Sequence, residues 1–143
     1  MTSDIVLKTA KDNEVKEAFS LRYQAFVIDE GVKEEEEFDD LDSTATHIVA
    51  LLSDKVVGCC RSYHENGFGK ISRLVVEKSV RRQGISTKIV LYAERLLFLN
   101  SPRIVVHAHV YVSKLYTTLG YTIIGDQFME DGSLVVKLQK EKI

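Results

Sequence analysis

The hydrophobic periodicity of this sequence changes near residue 80, and the change restricts the folds that the chain can adopt. Three extended apolar runs precede it, at 47–52, 55–63 and 70–77, and turn residues separate them, as in an antiparallel meander. After it, apolar residues recur at intervals of three and four between 85 and 99, which is typical of an amphipathic helix. The sequence therefore predicts a sheet with a long helix packed on it.

The remaining segments extend this pattern into an α/β (α+β) domain. The elements expected outside the meander and the long helix are strands at 4–9, 103–110, 121–129 and 133–140 and helices at 13–27 and 111–119. The meander and the later strand–helix–strand crossover together predict a mixed, mostly antiparallel sheet with helices on both faces. At 143 residues the chain fits one domain, 1–143.

The charge of the chain limits its partners. A formal net charge of -2 gives no general reason to bind nucleic acid or an anionic membrane, so we expect neither as a partner. The sequence contains no apolar run near the roughly 20 residues that a membrane span needs. We therefore expect a cytoplasmic protein, with a homodimer as one open alternative for its oligomeric state.

Cysteine and histidine spacing argues against a disulfide framework and a metal site. Cys59 and Cys60 are neighbours in an expected strand, where adjacent side chains point to opposite faces, so we interpret both as small apolar packing residues. His107 and His109 share one strand face, as two metal ligands could. We expect no metal, because the sequence offers no third ligand at a useful spacing.

The segment Arg-Arg-Gln-Gly-Ile-Ser-Thr at 81–87 lies between the meander and the long helix. The first turn of a helix leaves backbone N–H groups unpaired and carries about half a positive charge. Gly84 allows close approach of a ligand, while Ser86 and Thr87 add hydroxyl donors and Arg81 and Arg82 add charge. This pattern favours a phosphate site over the simpler alternative, an ordinary helix start with solvated arginines.

The same segment resembles the signature of the GNAT superfamily of N-acetyltransferases, which is Arg or Gln, two residues, Gly, one residue, then Gly or Ala. Ser86 departs from that signature at its last position. A second match, HVYVSKLYTTLGY at 109–121, is similar to a family pattern that begins with Asn or Gln, and His109 departs from it there. Segments 21–32 and 35–50 resemble small ElaA-like GNAT proteins and, more distantly, acyl-homoserine lactone synthases.

The resemblance implies acetyl-CoA as co-substrate, with its diphosphate on the backbone of residues 82–87. Its pantetheine arm would lie between splayed fourth and fifth strands, the backbone N–H of Val75 would polarise the thioester carbonyl, and Tyr116 would protonate the departing sulfur. The cofactor-binding residues implied in this way are Leu74, Val75, Val76, Arg81, Arg82, Gln83, Gly84, Ile85, Ser86, Thr87, His109, Val112 and Tyr116.

The general base is left open. Many family members carry a glutamate early in the fourth strand, but this sequence has Lys70, Ile71, Ser72 and Arg73 there. His107 and His64 titrate in the useful range, and either could act through a water, so His107 joins Tyr116 and Val75 as a candidate catalytic residue.

Two features bear on the acceptor, and they point to different substrates. The acidic run at 34–42 can be interpreted either as a solvated loop or as a surface that attracts a cationic amine. Arg22 and Arg73 could instead bind a substrate carboxylate, or they could be ordinary surface or bridging charges.

The function implied by the resemblance is N-acetyl transfer from acetyl-CoA to a primary amine of a small molecule or a protein. The amine would attack the thioester directly, without an acetyl-enzyme, because neither cysteine shows a local sign of activation. Two alternatives stay open: an acyltransferase of the homoserine-lactone-synthase type, and a non-catalytic CoA-binding module.

Overall fold

The computed structural model describes residues 4–143, which form one mixed sheet with the strand order β1-β2-β3-β4-β5-β7-β6. Of the strand pairs in this range, β4 and β5 run parallel and the others antiparallel. This confirms the predicted sheet. The strands are β1 (Ile5–Thr9), β2 (Thr46–Leu52), β3 (Lys55–Glu65), β4 (Phe68–Val76), β5 (Arg103–His109), β6 (Thr122–Glu130) and β7 (Ser133–Glu141).

The helices follow the predicted order with two differences at their ends. The first helix ends in a seven-residue π-helix at Tyr23–Asp29, so it runs past the predicted boundary at 27, and the last helix is shorter than expected. The α-helices are α1 (Asp12–Arg22), α2 (Glu34–Glu37), α3 (Ile85–Leu97) and α4 (Ser113–Thr118).

The two faces of the sheet carry different helices. The apolar side of α3, which includes Ile89 and Ala93, packs into the larger core cluster together with Cys60. On the opposite face, Ala18 of α1 packs with Val49 and Cys59 in a smaller cluster. The neighbouring cysteines therefore point to opposite faces and are buried, as the sequence predicts.

Strand β4 separates from β5 after a short region of pairing. The two strands pair from Gly69 to Ile71 on β4, opposite 104–106 on β5. A register shift between β3 and β4 follows at once, and Arg73 there has a positive φ of 57°. Such an irregularity bends a strand and increases its twist, so the rest of β4 diverges from β5. The predicted splayed pair of strands is thus present.

Among residues 4–143, not one helix combines the length and the apolar composition that crossing a bilayer requires.

Candidate functional site

Two cavities meet where β4 and β5 separate. The first has a volume of about 570 Å³ and the second about 310 Å³. They lie on either side of a shared wall, and the residues that line both are Phe26, Leu74, His109 and Val112. A molecule that enters the first cavity along β4 can therefore present its end to the second.

The first cavity collects most of the predicted cofactor residues. Four further lining residues were not predicted from the sequence: Ala25, Asp29 and Glu30, around the π-helix, and Tyr111. Within the described chain, Gln83 and Tyr116 are absent from this lining. The predicted residues that line it are Leu74, Val75, Val76, Arg81, Arg82, Gly84, Ile85, Ser86, Thr87, His109 and Val112.

The N-terminus of α3 opens into the first cavity. Gly84 precedes the helix with a φ of +75°, and in the described structure no side chain caps this end. The first helical hydrogen bond runs from the Lys88 amide to the Gly84 carbonyl at 3.2 Å, so the amides of Ile85, Ser86 and Thr87 precede it. A side chain at Gly84 would extend into open space, since no described atom lies within 4 Å of its Cβ position. This end of the helix fits an anionic group.

The two arginines of the turn have different positions. Arg81 donates from Nε to the Val76 carbonyl at 3.0 Å, which ties the turn to the end of β4. Arg82 is exposed and adopts a positive φ of 66°. Both side chains line the first cavity, so a phosphate at the helix end would meet at least one guanidinium there.

The register of β3 and β4 corrects the role predicted for the Val75 amide. Val75 pairs with Cys59, and two residues later the Glu77 amide donates to the Val57 carbonyl at 2.8 Å. Hydrogen-bonded pairs recur at every second residue of an antiparallel ladder, so the Val75 amide also faces β3. The amide of Val76 faces the opposite edge, where β5 has separated. Val76 is thus better placed than Val75 to donate to a group between the strands.

Tyr116 projects from α4 into the second cavity. It is 2% exposed, and its ring packs edge-on against Tyr121 with 5.3 Å between centroids. Burial raises the pKa of the Tyr116 phenol because the ionised form would lose hydration. The hydroxyl therefore carries its proton at neutral pH.

His107 lies on β5 just beyond the last residue that pairs with β4, and it lines the second cavity. Its Nδ1 lies 3.1 Å from Oε1 of Glu130, and Phe128 packs edge-on against its ring. His64, the other candidate base, hydrogen bonds to Ser101 instead and is absent from the described linings of both cavities. The structure therefore favours His107 over His64.

Arg22 does not face a cavity, which corrects its predicted role as a carboxylate ligand. It is 1% exposed, its Nε donates to Glu37 at 2.8 Å and its Nη1 donates to Asp42 at 2.8 Å. Its Nη2 donates to the Glu37 carbonyl at 2.8 Å. All three nitrogens are engaged within the protein, so Arg22 stabilises the fold.

Two further arginines hold the acidic segment against the sheet. Arg61 of β3 is 2% exposed, and its Nη1 donates to Asp39 at 2.6 Å and to Asp42 at 3.2 Å. Arg73 donates from Nε and Nη2 to the backbone carbonyls of Glu37 and Glu36, each at 3.0 Å. The guanidinium of Arg73 is thus also occupied. Arg61 was not predicted as a site residue. It follows the buried apolar run 56–60 of β3, where a buried charge requires a partner.

The acidic run is therefore solvated only in part: Glu34, Glu35, Asp39 and Asp40 are exposed, whereas Glu37 and Asp42 are enclosed by arginines. It forms α2 and a 3-10 helix at Asp40–Ser43, and Glu37 is 3% exposed. Burial raises the pKa of the Glu37 carboxyl. Burial also opposes ionisation of Asp42, but the hydrogen bonds from Arg22 outweigh it and lower the pKa of Asp42. The run forms one wall of the second cavity.

The two cysteines, Cys59 and Cys60, are buried. Burial raises the pKa of Cys59 to about 12, which leaves it without thiolate character at neutral pH. Within residues 4–143, no group of three or more His, Cys, Asp or Glu side chains is arranged to hold a metal ion.

A family comparison connects this geometry to known proteins. The model of the acetyltransferase (GNAT) domain matches residues 6–142. The chain belongs to the GNAT acetyltransferase family. Its small single-domain members are the group that the sequence resembles, and members of the family use acetyl-CoA or acyl-CoA.

Relatives of this GNAT protein support the same assignment. A Bacillus subtilis protein named an uncharacterized N-acetyltransferase, YjcF, is 28% identical over 91% of this chain and 94% of its own. A crystal structure from Lactobacillus plantarum shares 22% identity, covers 99% of both chains and has a TM-score of 0.87. Escherichia coli ElaA shares 15% identity over 97% of this chain and 99% of its own, with a TM-score of 0.83. The structural matches establish the fold.

Proposed function

We propose that this GNAT protein transfers an acetyl group from acetyl-CoA to a primary amine, by direct attack of the amine on the thioester. The observation that carries the proposal is the wall shared by the two cavities. On one side of that wall lies the uncapped N-terminus of α3, and on the other lie Tyr116 and His107. A thioester at the wall would therefore lie between the anion site of the first cavity and the proton-transfer groups of the second.

The first cavity offers suitable groups for each part of CoA. The amides of Ile85, Ser86 and Thr87 would accept the diphosphate, with Arg82 adding positive charge. The exposed backbone edge of β4 at Val76 would pair with the amide groups of the pantetheine arm, as an added strand does. Because acetyl-CoA is an intracellular metabolite, the proposal also places the protein in the cytoplasm.

The second cavity would supply proton transfer. A lysine-like amine, with a pKa of about 10.4, requires roughly 4 to 5 kcal/mol to lose its proton at pH 7, so a base is needed. His107 would accept that proton, directly or through a water, before the nitrogen attacks, because an ammonium has no lone pair with which to form the nitrogen–carbon bond. A cleft-facing backbone amide of β4 would stabilise the oxyanion at the shared wall, where Leu74 lies. Tyr116 would give its proton to the sulfur as the carbon–sulfur bond breaks, and the second proton of the nitrogen would restore the phenol.

The charges around the second cavity favour a cationic acceptor over one that carries a carboxylate. Arg61 and Arg73 are engaged by the acidic segment, whereas within residues 4–143 no ion pair involves the carboxylate of Glu36 or Asp131. The charged residues that line this cavity are Glu36, Glu37, Asp39, Glu130, Asp131, Arg61, Lys70 and Arg73. An alkylamine or a lysine side chain fits this surface better than a free amino acid.

A thiol-release assay with acetyl-CoA and a panel of amines tests the proposal. The panel includes a diamine, a lysine-containing peptide and a free amino acid, and turnover is expected with the first two. Tight binding of acetyl-CoA without turnover of any amine would contradict the proposal and favour a binding module. A parallel assay supplies S-adenosylmethionine as the acceptor. Release of a lactone in that assay would favour a homoserine-lactone synthase instead.

Tyr116→Phe tests the proton-donor role. The variant keeps the buried ring and removes the hydroxyl, and we expect kcat to fall roughly tenfold, since a thiolate is a fair leaving group even without an acid. The KM for acetyl-CoA should stay near the wild-type value. Tyr121→Phe is the matched control, because Tyr121 is also buried and its hydroxyl has no hydrogen-bond partner in the described structure. Equal kcat values for the two variants would remove Tyr116 from the mechanism.

A further inference from the structure

His107 and Glu130 form a pair at the edge of the second cavity. His107 comes from β5 and Glu130 from the end of β6, so the fold brings together residues 23 positions apart in sequence. The Nδ1–Oε1 distance is 3.1 Å, and the Phe128 ring lies at 87° to the imidazole plane with 5.3 Å between centroids. The carboxylate and the phenyl ring together restrict the orientation of the imidazole.

The carboxylate determines which ring nitrogen is available to a substrate. An ionised carboxylate only accepts hydrogen bonds, so the ring nitrogen that faces it must carry a proton. A neutral ring that donates from Nδ1 to this carboxylate keeps its lone pair on Nε2. A general base needs that lone pair.

We propose that Glu130 is a positioning residue for acetyl transfer, because it holds His107 in the Nδ1–H tautomer with Nε2 free to accept the proton of the amine. This inference rests on the proposed function for the role of His107. The proton leaves the attacking nitrogen for Nε2, which turns the ring into an imidazolium that the Glu130 carboxylate stabilises. The other charged groups around the imidazole are Asp131 beside Glu130, Lys137 opposite on β7 and Lys70 on β4.

The first test measures the tautomer itself and needs no substrate. Protein with ¹⁵N-labelled histidine, at a pH where the ring is neutral, is expected to show a protonated Nδ1 and an unprotonated Nε2 for His107. The chain has four histidines, and the signals lost in His107→Gln identify the ring. An Nε2–H tautomer in the wild-type protein would overturn the proposal.

The second test measures turnover in variants at position 130. Glu130→Leu should lower kcat roughly tenfold with the KM for acetyl-CoA unchanged, and Glu130→Gln, whose amide oxygen still accepts from Nδ1–H, should recover most of the loss. In a His107→Gln background, Glu130→Leu should not lower kcat any further. Glu141→Gln is the control, since Glu141 pairs with Arg103 on the same sheet and lies outside the described linings of both cavities.

The two tests separate failure of this inference from failure of the proposed function. Equal kcat values for Glu130→Leu and the wild-type protein would overturn the positioning role. If Glu130→Leu does not fold, the wild-type protein decides, because an Nε2–H tautomer beside the Glu130 carboxylate would overturn the role as well. Absence of turnover with every amine would contradict the proposed function, while the tautomer measurement would still decide the state of the His107 ring.

Discussion

Gly84→Asp is expected to weaken acetyl-CoA binding roughly 30- to 150-fold, which corresponds to about 2 to 3 kcal/mol. The glycine precedes the first turn of α3, and a side chain there enters the space in which we place the diphosphate. A carboxylate at that point repels the phosphates and competes with them for the amides of the first turn. Isothermal titration calorimetry with acetyl-CoA measures the change.

Two controls separate charge from backbone strain at this position. Gly84→Ala imposes the cost of a Cβ at a φ of +75° without a charge, so it should weaken binding much less than aspartate does. Gly67→Asp places the same residue at another glycine with positive φ, +82°, and an open Cβ position. Gly67 lies in the turn between β3 and β4, outside the described cavity linings, so binding should be unchanged. Unchanged affinity in Gly84→Asp would count against the phosphate site.

Arg22→Met is expected to lower the free energy of unfolding by about 3 to 5 kcal/mol. The substitution keeps an unbranched side chain and removes the charge that pairs with Glu37 and Asp42. Both carboxylates are largely buried and would keep only longer contacts, Glu37 with Arg73 at 3.3 Å and Asp42 with Arg61 at 3.2 Å, so the loss should exceed that of a surface ion pair. Since domains of this kind have total stabilities of about 5 to 15 kcal/mol, urea denaturation should show the loss clearly.

Arg103→Met is the matched control for that experiment. Arg103 also pairs with a glutamate, Glu141, but the side chains of this pair are 36% and 55% exposed. Exposed pairs contribute about 0 to 1 kcal/mol, so the unfolding free energy should change little. Equal losses in the two variants would contradict the structural role assigned to Arg22.

The periodicity of the chain and the motif at 81–87 were sufficient to predict the architecture and to locate the candidate anion site. Both features are local, because a helix start and the change from extended to helical periodicity are encoded within a few consecutive residues. The order of elements along the chain, the mixed sheet and the helices on both faces were predicted correctly on this basis, and the splayed strands were predicted from the family resemblance.

The role of the acidic run could not be read from local pattern. Its partners lie far away in sequence: Arg22 contacts Glu37 and Asp42 across 15 and 20 residues, and Arg61 reaches Asp39 across 22. The local sequence of a run of carboxylates does not differ between a solvated run and one that is paired with buried guanidinium groups. The arginine within the apolar run of β3 was the available signal, because an isolated charge is not buried without a partner.

Whether the amide of Val75 or that of Val76 faces the cleft depends on the register of β3 and β4. The sequence does not specify this register to within one residue. The irregularity at Arg73 shifts the pairing of β3 and β4, and a shift of one residue exchanges the amides that face β3 with those that face the cleft. The partnership of His107 and Glu130 was also outside sequence reasoning, since it depends on how β6 and β7 return beside β5.

A crystal structure of the protein with acetyl-CoA tests the central proposal most directly. We predict diphosphate oxygens about 2.7 to 3.2 Å from the amides of Ile85–Thr87. The thioester should lie between β4 and β5, beside Tyr116. A diphosphate bound elsewhere, or a first turn of α3 whose amides are bonded to other protein groups while the cavity stays empty, would contradict the account.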